Sequence, residues 1–138
     1  MKKSILIILL IFSIVFFSCC ANDKFHTTFE HYKTVYFEAT DFIPSDMHGT
    51  EIDILSHADL SVLQKNLSIM QDDNVILQSS TNTRNEEFLA KCAEADCMNI
   101  EFLIYAYQNI DTLSAKDKMK LSAIYDIILT NRDGYSKN

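Results

Sequence analysis

The sequence predicts a mainly α protein: a small antiparallel helical bundle or helical-hairpin stack, with room for one short strand pair. Apolar residues recur at helical spacing through most of the chain after residue 24. The segments they define are joined by short polar turns, which make successive helices antiparallel neighbours. The part of the chain that carries this pattern has the length of one small domain, 25–138, and not of two.

In the first element Phe25, Phe29, Tyr32 and Tyr36 fall at helical spacing, with Asn22 or Asp23 placed to cap it. Residues 34–40 (Thr-Val-Tyr-Phe-Glu-Ala-Thr) are rich in β-prone side chains, so 33–40 reads as helix or as strand. Pro44 and Gly49 mark 40–55 as a long connection. Ser56 is expected to cap a second helix, with Leu60, Leu63, Leu67 and Met70 along one face and Val62 and Ile69 widening it. Asp72-Asp73-Asn74 should end that helix. Val75-Ile76-Leu77 then forms a short buried segment of open type, and 79–85 a polar loop.

A third helix is expected from about Arg84 to Ala95, burying Phe88, Leu89 and Cys92, with a break at Ala95-Asp96. Met98 to Asn109 follows and is apolar nearly all round, as in the middle of a bundle. Its stretch 102–107 also reads as a buried strand, because a short apolar run carries no deciding period. The last element starts at Ser114-Ala115-Lys116-Asp117, with a negative charge in the first turn. Met119, Leu121, Ile124, Ile127 and Ile128 continue it, and Gly134 is expected to stop it.

The first residues differ in kind. Lys2 and Lys3 precede an apolar run, Ile5 to Phe17, broken only by Ser13. As a helix it would span about 20 Å, too short for the ~30 Å hydrocarbon core, and it suits the apolar part of an export signal. The sequence Phe16-Phe17-Ser18-Cys19 then resembles the lipobox of bacterial lipoprotein precursors, with Phe16 where that class prefers Leu. The resemblance covers about twenty residues. It implies a signal peptide over 1–18, a diacylglycerol on Cys19, a tether over 19–24 and, with Cys20 rather than Asp next, sorting to the outer membrane facing the periplasm. An ordinary secretory leader cut near Cys20 or Ala21 is the alternative.

Losing Lys2 and Lys3 with the leader takes the formal charge from −7 to −9. Such a surface repels phosphate backbones, so a nucleic-acid partner is not expected. It also offers anionic lipid heads nothing, so membrane attachment would come from the acyl chains. In an oxidising compartment Cys92 and Cys97 are the expected disulfide. Five residues apart on one helix they would be about 7.5 Å apart along the axis, so the bond requires the break at Asp96. Reduced core thiols, or half of a metal site, are the alternatives.

Two glycines are too few for a phosphate-cradling loop, and no serine sits in a Gly-x-Ser-x-Gly elbow. Glu86-Glu87 fits a helix first turn and Asp72-Asp73 a solvated helix end. His48, Glu51, Asp53 and His57 form the only mixed cluster of metal-ligand types, and a polar loop beside a cap explains them. No catalytic residue, metal or cofactor is expected. Tyrosine suits surfaces that are both apolar and wet, and Tyr32, Tyr36, Tyr105 and Tyr107 are the candidates to edge a partner-binding groove. The expectation is a lipid-anchored envelope protein that binds another protein, as an accessory, pilotin-like factor of a pilus, secretion or conjugation apparatus. An immunity or exclusion lipoprotein, and then a periplasmic hydrolase, are the alternatives.

Overall fold

The computed structural model describes residues 24–137. The expected leader over 1–18, the expected lipidation residue Cys19, Cys20 and the cap expected at Asn22 or Asp23 lie outside the described residues. Among the described residues are five α-helices, one 3-10 turn and no strand. Helix α1 occupies 24–40, α2 Glu51–Ser56, α3 Leu60–Ser79, α4 Arg84–Gln108 and α5 Ala115–Lys137, with the 3-10 turn Ile110–Thr112 between α4 and α5.

Pairings between helices set their directions. Gln71 donates to Glu101 at 2.9 Å and Gln78 to the Ala90 carbonyl at 2.9 Å, so α3 and α4 run antiparallel. Asn131 and Tyr135 of α5 reach Asp96 of α4, while Lys120 lies over the Phe102 ring, so this pair is antiparallel too. Arg132 donates to the carbonyls of Thr40 and Ile43 at 3.2 and 3.1 Å, capping the C-terminal end of α1 from α5. Tyr135 meets Phe29 earlier in α1. The four long helices thus form an up-down-up-down bundle. The short α2 interrupts the α1–α3 connection, and Tyr125 of α5 pins it through the Glu51 carbonyl at 3.0 Å.

Each later helix starts at a side chain that takes its first free N–H groups. Thr50–Asp53 and Thr83–Glu86 are reciprocal capping boxes. Asp59 accepts from the N–H groups of Ser61 and Val62, and Ser114 and Asp117 cap α5 reciprocally, as their spacing predicts. Gly49 precedes the α2 cap with φ +111, a conformation that side chains other than glycine rarely adopt.

Four expected boundaries move, the first for a local reason and the rest for tertiary ones. Ser56 ends α2 by donating to the Asp53 carbonyl, so the α3 cap falls on Asp59. Helix α3 continues through Asp72-Asp73-Asn74, because Asp73 is buried against His31 of α1 (Nδ1 to Oδ2, 2.7 Å) and Leu77 beyond it is fully buried. Helix α4 runs unbroken from Arg84 to Gln108 through Ala95 and Asp96, and both 33–40 and 102–107 are helical. Helix α5 continues past Gly134 because Tyr135 is buried and bonded to Asp96.

Aromatic rings line the core along α1 and the end of α5, and aliphatic side chains fill it elsewhere. Phe25, Phe29, Tyr32 and Tyr36 stack along α1 with ring centroids about 6 Å apart. Tyr135 sets its ring edge-on to Phe29 and Tyr36, the arrangement aromatic quadrupoles favour. Ala90, Ala93 and Ala106 are wholly buried on α4, and small residues there let neighbouring helices approach closely. Leu55, Leu63, Met70, Leu77, Leu103 and Ile128 fill the rest, each stabilising by roughly 1.5–3 kcal/mol on burial.

Candidate functional site

The expected disulfide is not formed. Cys92 and Cys97 are free thiols on one continuous helix, about 7.5 Å apart along its axis and roughly 140° apart around it. Burial pushes the Cys97 thiol up to about 12 and raises that of Cys92, so neither is an activated nucleophile.

Asp96, expected to break the helix, instead sits at the centre of the bundle with no exposed surface. Its Oδ2 accepts from the Tyr135 hydroxyl at 2.7 Å and its Oδ1 from the Asn131 amide at 2.8 Å. Tyr32 shares its hydroxyl proton between the Ala93 carbonyl at 3.0 Å and Asp96 Oδ2 at 3.5 Å. Desolvation pushes the Asp96 carboxyl up to about 6, against the opposing effect of the Tyr135 and Asn131 hydrogen bonds. Burial and the nearby carboxylate raise the pKa of both Tyr32 and Tyr135, which keeps them as donors. The group joins α1, α4 and α5, and the Asp96 carboxylate itself has no contact with solvent.

That interior decides two of the four candidate tyrosines. Tyr32 and Tyr36 are fully buried in the stack and do not edge a groove. The Tyr36 hydroxyl lies beside Asp96 and Asn131 without a hydrogen bond of normal length to either. Tyr105 is 47% exposed on the outer side of α4, and Tyr107 packs half-buried against the core.

The mixed histidine cluster is drawn together in part. His48, Asp53 and His57 line an open cleft of about 240 Å³ with Phe42, Pro44 and Ile54, whereas Glu51 turns its carbonyl to Tyr125. The Asp53 carboxylate is committed to the Thr50 N–H and hydroxyl, which hold it below the usual carboxylate range. Among the described residues no group of three His, Cys, Asp or Glu is arranged to hold a metal ion. A second cleft of about 390 Å³ lies where α5 passes the end of α1, and its Arg132 is the residue that caps α1.

Of the outer face of α4 the sequence pointed only to Tyr105. Phe88, expected to be buried, is 63% exposed, and Met98 is 65% exposed. Phe88, Ala95 and Phe102 recur every seven residues, and Lys91, Met98 and Tyr105 recur three residues after each. This is the a/d spacing of a coiled-coil seam. Glu87, Glu94 and Glu101 stand one residue before each a position, all exposed. Glu101 accepts from Gln71, which puts the acidic row along the α3 edge of the stripe. On the α5 edge the Lys120 ammonium lies 3.9 Å from the centroid of the Phe102 ring. Helix α4 therefore has two apolar faces, one buried in the bundle and one facing solvent. Among the described residues, no helix is long and apolar enough to cross a membrane.

The chain matches no protein-family model, no curated protein and no solved structure.

Proposed function

We propose that this chain is a lipid-anchored protein of a bacterial envelope that acts by holding another protein. In its most specific form it is an accessory, pilotin-like factor that carries a subunit of a pilus, secretion or conjugation apparatus to the outer membrane. The observation that carries the binding reading is the solvent-facing seam of α4, where Phe88, Met98 and Tyr105 stand exposed and Phe102 is half-buried between the last two. Exposed large apolar side chains gathered on one face mark interaction sites where they form a contiguous patch. Three polar groups within the bundle support it, because they are committed to the fold: Asp96 to tyrosines and Asn131, Glu86 to its cap, Arg132 to the end of α1. The tether rests on the leader and on Cys19.

The acidic balance favours a second reading, an immunity or exclusion lipoprotein that neutralises a basic toxin or blocks uptake of a phage or plasmid. Cells expressing the chain with Cys19→Ala separate the two. The assembly reading expects the altered protein to keep its partner in solution but leave it away from the membrane. Immunity that persists undiminished without the lipid favours the second. Recovery of the chain from detergent-solubilised envelopes with no stoichiometric partner, together with turnover of a small substrate abolished at His48 or Glu51, refutes both.

A further inference from the structure

We infer that the outer face of α4 is the docking surface for one amphipathic helix of a partner protein, basic along the flank that lies over α3. The inference rests on the protein-binding reading above and adds the site and the chemistry of its occupant. The a/d stripe Phe88, Ala95, Met98, Phe102 and Tyr105 runs for nearly three heptads, the length over which a single helix can lie in register. The pattern is helical along its whole length, so it fits another helix rather than a strand or an extended peptide. Lys91 is the one charge within the stripe and sets register by calling for an acidic or amide side chain opposite it.

Charge selects between occupants. Along the α3 edge a bound helix meets Glu87, Glu94 and Glu101 in turn, so its facing flank must be Lys or Arg. On the α5 edge Lys120 already covers one face of Phe102. A second copy of the chain is a poor occupant. An antiparallel pairing through the same stripe sets one glutamate row against the other, and a parallel one drives the partner's row toward α5. An anionic membrane surface is disfavoured by the same glutamates.

The test uses two synthetic three-heptad peptides with one apolar seam, one flanked by Lys and the other by Glu, against the full chain in detergent. The Lys peptide is expected to bind about tenfold more tightly, since three modest exposed charge pairs act together. That advantage shrinks at high salt. The triple change Glu87→Lys, Glu94→Lys and Glu101→Lys reverses the preference. Phe88→Ser with Met98→Ser weakens both peptides while circular dichroism stays unchanged. In cells, a photocrosslinking side chain at Met98 is expected to capture a helical segment with a basic flank, located by mass spectrometry. Equal affinity for the two peptides, or a Met98 crosslink to a second copy, to lipid or to residues 5–17 of the chain itself, overturns the inference. A partner that is retained stoichiometrically but crosslinks only through another face, such as Gln64 of α3, also overturns it while leaving the binding function standing.

Discussion

Replacing Asp96 with Asn tests the buried carboxylate at the centre of the bundle. Asp96 has no exposed surface, and its donors, Tyr135, Asn131 and Tyr32, are all neutral. Its carboxyl is pushed up to about 6, against roughly 3.9 in an unfolded chain. The folded state therefore binds this proton more tightly than the unfolded state. Asp96 favours folding most when protonated, below about pH 4. Its contribution declines as pH rises from about 4 to about 6 and is constant above that. Two units correspond to about 3 kcal/mol of pH-dependent stability. Exposed caps act in the opposite direction at low pH: Asp53 and Asp59 sit below the usual carboxylate range because they accept from the Thr50 and Ser61 hydroxyls and then from backbone N–H groups, so folding loses their support on acidification. Urea midpoints of the wild type and Asp96→Asn from pH 4 to 7 remove that background by difference. The variant should be relatively more stable at pH 7 than at pH 4. A difference that is flat with pH, or a 13C resonance of the Asp96 carboxyl titrating near 4, would refute the desolvation argument.

Three further outcomes follow from the same interior. Tyr135→Phe removes a charge-assisted donor to Asp96 and should destabilise by about 2 kcal/mol at pH 7, while Tyr36→Phe, whose hydroxyl lies beside Asp96 and Asn131 without a hydrogen bond of normal length, should cost less in the same denaturation series. Asn66 is fully buried in α3 with both amide atoms unpartnered, so Asn66→Leu should raise the urea midpoint by about 1 kcal/mol equivalent; a lowered midpoint would mean the amide has a structural role. Cys92 and Cys97 should both take up an alkylating reagent after unfolding without reductant, Cys97 only then, and a Cys92–Cys97 crosslinked peptide would contradict the continuous helix.

Helical class, the start of α5 at Ser114 and the buried faces of α1 and α3 were legible in the sequence because they depend on near neighbours. A capping side chain reaches N–H groups two or three residues on, and apolar spacing reports a face whatever it packs against. The helix ends were misread where a distant contact overrides the local signal. Asp73 looks like a stop until His31 meets it, 42 residues away in sequence. Gly134 looks like a stop until Tyr135 is seen bonded to Asp96. The disulfide was inferred from compartment and spacing, and it depended on a break at Asp96 that the Tyr135 and Asn131 hydrogen bonds remove.

The candidate site was hidden for a related reason. The apolar row on the outside of α4 was present in the sequence at seven-residue spacing, but a helix apolar nearly all round does not say which face is buried. Only the packing of α1, α3 and α5 against Ala90, Ala93, Ile100 and Leu103 leaves Phe88, Met98 and Tyr105 facing solvent. The same packing withdraws Tyr32 and Tyr36 from any surface. By itself the sequence determined the local items: where α4 and α5 begin, which residues of α1 and α3 are apolar on one face, and an acidic balance. Which apolar face is covered, and whether an aspartate breaks a helix or anchors three, only the tertiary structure decided, because both depend on side chains that are far apart in the chain and adjacent in the bundle.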